Sequence, residues 1–303
     1  KYHYIILNFC HLKLILTRVI FAMIFWLASY PKSGNTWVRS IICSLLYTKN
    51  GAFNFNDLEK IKQFPLKIHF KNLTDNSWNI NEIAKNWVLA QERLNLDNEI
   101  KFFKTHNAFC KYKNFSFTNK ENTLATIYIV RDPRNVITSL SNHYSLSIEK
   151  SKKMLFSSQQ VLGNEKSNKN INDVYTVLGS WSDHYNSWMK LDRANTLIVK
   201  YEDLIKDPKS KILEIAKFLN NYVTINISDK KIEEVSISTD FEVLKKYEKK
   251  NGFSESVQDN EANETPFFYL GKKNNWKNIL DLETIKEIEQ KFLKEMTELK
   301  YIS

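Results

Sequence analysis

The 303-residue sequence has few of the residues that form cross-links and glycine-rich binding loops. It contains three cysteines, Cys10, Cys43 and Cys110, and none of them are spaced as a metal-binding or redox pair. The sequence therefore indicates neither a disulfide framework nor a zinc site, and a reducing compartment is expected. Glycine is also scarce, at six residues. The nucleotide-binding pattern of a glycine, four residues and then Gly-Lys-Ser or Gly-Lys-Thr does not occur, so a loop that positions magnesium in that way is not encoded.

The overall composition is that of a globular protein. The length fits one large α/β domain with a full core. Hydrophobic residues make up 43% of the chain and charged residues 26%, which is ordinary for a soluble domain. An excess of 44 Lys and Arg over 34 Asp and Glu leaves a net charge of +10, which suits an anionic ligand. The lysines are scattered and no basic face with interleaved aromatic residues is recognisable, so nucleic-acid binding is not predicted.

The N-terminal stretch Tyr4–Leu27 is strongly apolar and is broken by His11, Lys13 and Arg18. It can be read as a membrane anchor or as an extension that precedes the folded domain. Because the apolar run flows directly into the first predicted strand, it leaves no stem between a bilayer and the domain. We therefore interpret residues 1–22 as an N-terminal extension, place the domain at residues 23–303, and expect a cytoplasmic protein.

The strongest local signal is Met23–Trp37, which predicts a strand, a tight turn and a helix. The apolar run Met23–Ala28 is typical of a strand buried on both faces of a parallel sheet. A helical pattern begins at Thr36, and the N-terminus of a helix presents unpaired N–H groups to an anion. Gly34 allows the backbone to approach the anion closely, and Lys32 adds a positive charge. The segment therefore predicts an anion-binding site.

The octapeptide Tyr30–Trp37, with the sequence YPKSGNTW, resembles the 5′-phosphosulfate loop of the cytosolic-type sulfotransferases. The usual form is Tyr-Pro-Lys-Ser-Gly-Thr-Thr-Trp, so Asn35 is the one departure. Further motifs of that family follow in order as far as Asn278. The resemblance implies an α/β fold, a single P-loop-like domain with a central parallel β-sheet flanked by helices. It also implies 3′-phosphoadenosine-5′-phosphosulfate (PAPS) as the cofactor, 3′-phosphoadenosine-5′-phosphate (PAP) as its product, and no metal.

The triplet Lys104-Thr105-His106 ends a short predicted strand and resembles the segment that carries the catalytic histidine of the family. The family usually continues with Leu-Pro, whereas this chain has Asn107-Ala108. The resemblance implies that His106 takes the proton of the acceptor. It further implies that Lys32 stabilises the bridging oxygen and that Lys104 holds the sulfuryl oxygens.

Thr123–Val130 predicts a second buried parallel strand, which ends abruptly at Arg131. Arg131 and Ser139 resemble the 3′-phosphate site of the family, where an arginine fork and a serine converge; Ser139 is also expected to restrain Lys32 before the acceptor arrives, and we count it with the catalytic residues. The full set of cofactor-binding residues implied by the resemblance is Lys32, Ser33, Gly34, Asn35, Thr36, Trp37, Arg131, Ser139, Tyr201, Thr239, Phe241, Gly271 and Lys272.

The segment Phe267–Asn278 keeps the landmarks of the family at Gly271 and Trp276, but it departs at a functional position. Tyr269-Leu270 stands where the family has an Arg-Lys pair that clamps the 3′-phosphate. Two charge-assisted contacts of about 1.5–3 kcal/mol each are therefore expected to be missing, and Lys272 or Lys273 is a candidate replacement. The dimer-forming segment of the family is not recognisable, so the oligomeric state stays open.

Other patterns predict the frame of the domain. Asn81–Leu94 and Leu282–Leu299 are predicted helices, and a helix beginning near Trp181 is expected to use its aromatic stripe for packing. Leu146–Asn172 lacks firm periodicity and is predicted to be a solvated loop that can also cover the acceptor site. The acceptor pocket is expected to be apolar, formed by this loop with Phe53, Phe102, Phe103 and Tyr144.

These observations lead to the hypothesis that the protein transfers a sulfuryl group from PAPS to a hydroxyl or amine of a small-molecule acceptor, with a histidine base and no metal. One alternative is a kinase-like phosphotransferase, which predicts dependence on magnesium and a nucleoside triphosphate. The other is a catalytically inactive homologue that binds a nucleotide or a glycan, an alternative kept open by Tyr269-Leu270.

Overall fold

The computed structural model describes residues 22–163, 173–191, 195–253, 255–258 and 264–302. The predicted N-terminal extension lies outside the described residues, except for Ala22. The strands are, in chain order, β1 Ile24–Ser29, β2 Lys62–Gln63, β3 Lys101–Thr105, β4 Lys111–Tyr112, β5 Phe115–Ser116, β6 Thr123–Val130, β7 Val161–Leu162, β8 Thr176–Val177, β9 Thr196–Lys200, β10 Val257–Gln258 and β11 Glu264–Thr265.

The helices flank these strands and occupy most of the remaining chain. They are α1 Asn35–Tyr47, α2 Ile80–Lys85, α3 Trp87–Leu94, α4 Pro133–Tyr144, α5 Ile148–Phe156, α6 Trp181–Trp188, α7 Tyr201–Lys206, α8 Pro208–Leu219, α9 Asp229–Ser238, α10 Phe241–Asn251, α11 Leu282–Lys291 and α12 Leu293–Glu298. Short 3₁₀ turns lie at Phe55–Lys60, Lys67–Phe70, Asn95–Asp97, Gly271–Lys273 and Trp276–Asn278.

The main sheet has five strands in the order β2-β3-β1-β6-β9, and every neighbouring pair is parallel. The chain adds β2 and β3 on one side of β1 and then crosses over to add β6 and β9 on the other side. The strand order therefore reverses at β1, and open α/β sheets bind ligands beyond the carboxyl ends of the strands at such a point. The predicted α/β fold with a central parallel sheet is confirmed.

β1 is buried on both faces, as its unbroken apolar sequence predicts. Trp26 and Ala28 belong to the core on one face of the sheet, and Phe25 and Leu27 belong to the core on the other. All four are fully buried. Because alternate residues of a strand point to opposite faces, both faces must be covered by helices. The turn after β1 therefore begins at a buried strand in the middle of the sheet.

Several predicted elements have the expected bounds. Thr123–Val130 forms β6 without any shift of its ends, and the helix that follows begins at Pro133, where the carboxylate of Asp132 accepts a hydrogen bond from the N–H of Arg134. The aromatic stripe of α6 packs in the core, with Trp181 and Trp188 almost wholly buried. The prediction that these two side chains serve packing is confirmed.

Two predicted helices are each divided into two in the structure. The helix predicted over Asn81–Leu94 is two helices, because Asn86 turns its side chain back to the carbonyl of Glu82 over 2.8 Å. The helix predicted over Leu282–Leu299 breaks at Phe292, which leaves helical geometry and packs against the rings of Phe156 and Trp181. Neither break has a glycine or proline to signal it.

The segment predicted to be a loop, Leu146–Asn172, begins instead with a helix. Ser147 caps α5 by accepting a hydrogen bond from the N–H of Lys150, and Met154 and Leu155 are buried. The surrounding lysines mask this weak apolar periodicity. The following strand, β7, pairs antiparallel with β8, and residues 164–172 of the predicted loop lie outside the described residues. Among the helices that the structure describes, none is both long and apolar enough to cross a membrane.

Candidate active site

The turn between β1 and α1 has a backbone that only certain residues tolerate. Gly34 precedes the helix with φ of 101°, a conformation in which glycine is favoured. A Cβ atom added there would lie 2.5 Å from Cδ2 of Tyr201. Lys32 also has a positive φ, of 65°. The predicted loop is therefore closely packed against the start of α7, which carries Tyr201.

A cavity of about 1200 Å³ opens beyond the carboxyl ends of β1, β3 and β6. Twelve of the residues predicted for the site line it: Lys32, Gly34, Asn35, Thr36, Trp37, Lys104, His106, Arg131, Ser139, Tyr201, Phe241 and Gly271. Ser33, which belongs to the turn, is fully buried. Thr239 is also buried, and its hydroxyl donates to the carbonyl of Val235 within α9. The side chain of Lys272 lies outside what the structure describes.

His106 is held by β1. Its Nδ1 lies 2.8 Å from the carbonyl of Ser29, and because a carbonyl only accepts, Nδ1 carries the proton. The hydroxyl of Ser29 lies 3.2 Å from the same nitrogen and accepts a hydrogen bond from the side chain of Asn35. Burial, together with the charge of Lys104, lowers the pKa of His106 to about 4. The imidazole is therefore neutral at pH 7, with Nε2 free to accept a proton.

The residue after the histidine, Asn107, is fully buried. Its side-chain oxygen accepts from the N–H of Val177 over 2.9 Å, and its carbonyl accepts from the indole N–H of Trp188 over 3.0 Å. Asn107, which stands where the family usually has leucine, thus connects the loop after β3 to β8 and α6. His184 adds a further hydrogen bond to the carbonyl of His106.

Lys104, at the end of β3, takes part in a cluster that the sequence did not reveal. Its ammonium lies 2.7 Å from the carboxylate of Glu255. The guanidinium of Arg39 lies 2.7 Å from the same carboxylate, and the hydroxyl of Thr36 donates to it over 3.2 Å. Burial lowers the pKa of Lys104, and Glu255 offsets part of that effect. Sequence reasoning missed Arg39 and Glu255 because neither belongs to a motif.

Lys32 contacts an aromatic ring and interacts electrostatically with Lys104 and Glu255 of that cluster. Its ammonium stands 3.9 Å above the centre of the Phe267 ring, a favourable arrangement for a cation and an aromatic face. Burial, followed by repulsion from Arg131, lowers the pKa of Lys32 to about 7. An anion bound nearby would favour the charged form of this lysine.

Arg131 and Ser139 both line the cavity. The guanidinium of Arg131 donates to the carbonyl of Lys32 over 3.1 Å and lies 4.1 Å from the centre of the Tyr201 ring. Its Nε atom is buried and has no hydrogen-bond partner among the described residues. Tyr269 and Leu270 also line the cavity, so the position of the absent Arg-Lys pair belongs to the site.

Three aromatic residues in the lining of the cavity, Trp37, Tyr201 and Phe241, are named here the aromatic corner. Trp37 packs edge-on against Tyr201, with ring centres 5.5 Å apart. Phe241 lies against Gly271 so closely that an added Cβ at Gly271 would come within 2.3 Å of the ring. Flat aromatic surfaces of this kind can stack on a nucleobase. Because an added Cβ at residue 271 would clash with the ring of Phe241, glycine is required there for this close packing.

The cavity is also lined by a mixed set of other side chains, which are Gln63, Trp78, His143, Tyr144, Leu162, Asp173 and Val174. Of the aromatic residues predicted for an acceptor pocket, Tyr144 is present, whereas Phe53, Phe102 and Phe103 pack in the two cores. Those three predictions are wrong, because the rings of Phe102 and Phe103 on β3 pack in the cores on the two faces of the sheet, and Phe53 packs against Phe55 beside one of those cores. His143 was missed. Burial lowers its pKa to about 3, and its Nδ1 has no partner among the described residues.

A second cavity of about 1180 Å³ lies beside β4, β8 and α6. It is lined by Cys110, Tyr112, Tyr175 and Asp183 among others, and it contains none of the predicted site residues. Within the described ranges, no three His, Cys, Asp or Glu side chains are grouped closely enough to hold a metal ion. The chemistry of the predicted residues is thus concentrated in the first cavity.

Comparisons with known proteins agree with this geometry. The sulfotransferase domain family matches residues 24–300. Sulfotransferase 1 family member D1 of Rattus norvegicus is 24% identical over 90% of this chain and 83% of its own length. The 3-beta-hydroxysteroid sulfotransferase of Cavia porcellus is 24% identical over 88% and 82%, and the amine sulfotransferase of Oryctolagus cuniculus is 25% identical over 90% and 81%.

Two solved structures share the fold. Mouse sulfotransferase SULT7A1, complexed with PAP, has a TM-score of 0.54 and 19% identity, covering 91% of this chain and 84% of that one. Retinol dehydratase, in complex with androsterone and PAP, has a TM-score of 0.57 and 17% identity, covering 91% and 81%. The family match spans most of the chain, and the chain therefore belongs to the sulfotransferase domain family. It is a sulfotransferase by class, as the resemblance implies.

Proposed function

We propose that the protein transfers the sulfuryl group of PAPS to a hydroxyl or amine of a small hydrophobic acceptor, with His106 as the general base. The observation that carries the proposal is the state of His106. Its Nδ1–H is fixed by the carbonyl of Ser29, and its pKa near 4 leaves the ring neutral. His106 lines the cavity, and a neutral imidazole with an unprotonated Nε2 can take a proton at neutral pH.

The residues of the cavity fit PAPS and PAP. The loop after β1, with Lys32 and the N-terminus of α1, suits the 5′ anionic end. Arg131, whose Nε has no hydrogen-bond partner among the described residues, and Ser139 suit the 3′-phosphate. The aromatic corner suits adenine. When bound, PAPS supplies the sulfuryl group, and the fold relatives complexed with PAP support this assignment.

In the proposed mechanism the chain holds charge and moves one proton. Nε2 of His106 accepts the proton of the acceptor as the oxygen or nitrogen of the acceptor attacks the sulfuryl group. The ammonium of Lys32 neutralises the charge that develops on the bridging oxygen, and Lys104 holds the sulfuryl oxygens. Ser139 restrains Lys32 until the acceptor is bound. These cations provide the stabilisation, so the proposed reaction needs no metal ion.

The acceptor is proposed to be a small hydrophobic alcohol, phenol or amine. The lining of the cavity includes the rings of Trp78 and Tyr144 together with Leu162 and Val174, which suit an apolar body. Related proteins are named for hydroxysteroid and amine substrates. The alternative of a catalytically inactive nucleotide-binding homologue is favoured by one observation, that Tyr269 and Leu270 line the cavity in place of a cationic pair.

The proposal is tested by incubating the protein with PAPS and EDTA in the presence of a panel of phenols, hydrophobic alcohols and amines. We expect PAP to form in an acceptor-dependent manner, measured by chromatography of the nucleotides. Binding of PAP without turnover on any acceptor would favour the inactive homologue. Turnover that requires ATP and magnesium would favour a kinase-like phosphotransferase.

A further inference from the structure

Glu255 holds its carboxylate among three donors from two different elements of the fold. Oε1 accepts from Nζ of Lys104 and from Nη2 of Arg39, each over 2.7 Å. Oε2 accepts from the hydroxyl of Thr36 over 3.2 Å. We name the set of Thr36, Arg39 and Lys104 the oxyanion cradle. A carboxylate bound in this way stands in for a pair of phosphate or sulfate oxygens, which take the same charge-assisted hydrogen bonds.

The cradle coincides with the anion site that the sequence predicts. Thr36 lies in the first turn of α1, where backbone N–H groups and the helix dipole favour negative charge. Lys104 is the lysine proposed to hold the sulfuryl oxygens. Both residues line the cavity together with Glu255. The carboxylate is therefore bound by the side chains that the cofactor needs.

Arg39 adds a cation that the family motif does not contain. It follows Thr36 by almost one turn of α1, and only 4% of the residue is exposed. Its Nε is buried and has no hydrogen-bond partner among the described residues, so its guanidinium has a donor to spare. A buried arginine whose one ionic partner among the described residues is Glu255 would be left unpaired if that carboxylate moved away.

The charges around the cradle allow one anion at a time. Burial by itself raises the pKa of Glu255, but Lys104 and Arg39 outweigh it and hold that pKa well below its usual range. The group is thus a carboxylate at neutral pH. A second anion placed at the same donors would be repelled by the negative charge of Glu255 and would have to share those donors with it.

We infer that Thr36, Arg39 and Lys104 bind the 5′-phosphosulfate end of the cofactor, and that Glu255 occupies this cradle in the cofactor-free protein and is displaced when the cofactor binds. The inference rests on the proposed function, to which it adds Arg39 as a binding residue and Glu255 as an internal competitor. Glu255 pairs with both buried cations and balances one of their two charges before the cofactor arrives. Its displacement makes cofactor binding weaker than it would be with a neutral side chain at that position.

The test compares calorimetric affinities in EDTA for PAP and for adenosine 3′-phosphate, which lacks the 5′ anion. We expect Glu255→Gln to bind PAP about 10- to 100-fold more tightly than the wild type, because a neutral amide competes poorly for the cradle. The affinity for adenosine 3′-phosphate is expected to stay unchanged. Glu255→Asp, which keeps the charge, is expected to stay close to the wild type.

Two further variants test the parts separately. Asp173→Asn removes the same charge from the same cavity but has no bond to the cradle, so its effect on PAP affinity is expected to be much smaller. Arg39→Gln placed in the Glu255→Gln background is expected to weaken PAP binding about tenfold or more. The paired removal of one cation and one anion keeps the net charge, and thermal unfolding checks that each variant is folded.

Each contrary result has a distinct meaning. Unchanged or weaker PAP binding by folded Glu255→Gln would show that the carboxylate stays in place, and would overturn the inference while leaving the proposed function intact. An equal gain for adenosine 3′-phosphate would overturn the assignment of the cradle to the 5′ end. An unchanged affinity after the Arg39→Gln exchange would remove Arg39 from the cradle. Absence of PAP binding by the wild type and by every variant would overturn the proposed function itself.

Discussion

His184 donates a hydrogen bond from Nε2 to the backbone carbonyl of His106 over 3.0 Å. Its other ring nitrogen, Nδ1, accepts from the hydroxyl of Tyr128 over 2.8 Å. Burial lowers the pKa of His184 to about 3, so the ring is neutral and the two hydrogen bonds define its tautomer. A histidine in the core of the protein thus fixes the backbone that carries the proposed base.

Replacing His184 by Phe should impair turnover more than cofactor binding. The change leaves the carbonyl of His106 without its partner, which costs about 1–3 kcal/mol when such a group stays buried. We expect kcat to fall about tenfold with little change in the Kd for PAP. Tyr128→Phe is the matched control, because it removes only the outer hydrogen bond and should lower kcat less. An unaltered kcat in folded His184→Phe would contradict the positioning role.

Replacing His106 by Ala should abolish most turnover and leave PAP binding intact. Loss of a general base typically lowers kcat about 10²- to 10⁴-fold. His143→Gln serves as the control, since His143 is another buried, neutral histidine of the same cavity, and it is expected to alter the KM for the acceptor instead. Comparable kcat values for His106→Ala and the wild type would exclude His106 as the base.

The affinity for PAP should weaken as the pH rises above about 7. Without the cofactor, the pKa of Lys32 is about 7. Bound PAP favours the charged form of the lysine, so above that pH the binding of PAP is coupled to the uptake of a proton. Linkage then predicts up to about a tenfold loss of affinity per pH unit. Calorimetry from pH 6 to 9 measures it. Lys32→Arg, which keeps its charge, should give a flatter profile, and a flat profile in the wild type would contradict the role of Lys32.

Gly34→Ala should disrupt the cofactor loop. The new Cβ would lie 2.5 Å from the ring of Tyr201 at a backbone φ of 101°, so both the loop and the ring must move. We expect a loss of at least tenfold in PAP affinity, together with a lower Tm. Gly252→Ala is the matched control, because Gly252 also has a positive φ, of 72°, but nothing lies within 4 Å of an added Cβ. Equal effects of the two changes would mean that backbone strain alone matters.

The fold could be predicted from the sequence because its central strands carry their own signal. β1 and β6 are continuous apolar runs, and each is followed by a turn with a recognisable function. The site was predicted to the extent that its residues belong to short motifs, such as Lys32 to Trp37 or the Lys104–His106 triplet. The breaks at Asn86 and Phe292 were not predicted, since they depend on a side-chain bond and on tertiary burial.

The supporting residues could not be predicted, because their partners are distant in sequence. Arg39 and Glu255 are 216 residues apart, and His184 and His106 are 78 apart. No local periodicity relates such residues, and an arginine on a helix or a histidine beside a tryptophan is commonly structural. Only the packing of the sheet brings the β3 loop onto α6 and Glu255 onto α1.

The cofactor assignment is best tested by calorimetric titration of the wild-type protein with PAP in the presence of EDTA, beside a titration with ATP and magnesium. If the cavity binds PAPS as proposed, PAP will bind at micromolar or lower concentration without metal, and ATP with magnesium will bind much more weakly. Binding of ATP alone, and only when magnesium is present, would contradict the sulfotransferase mechanism.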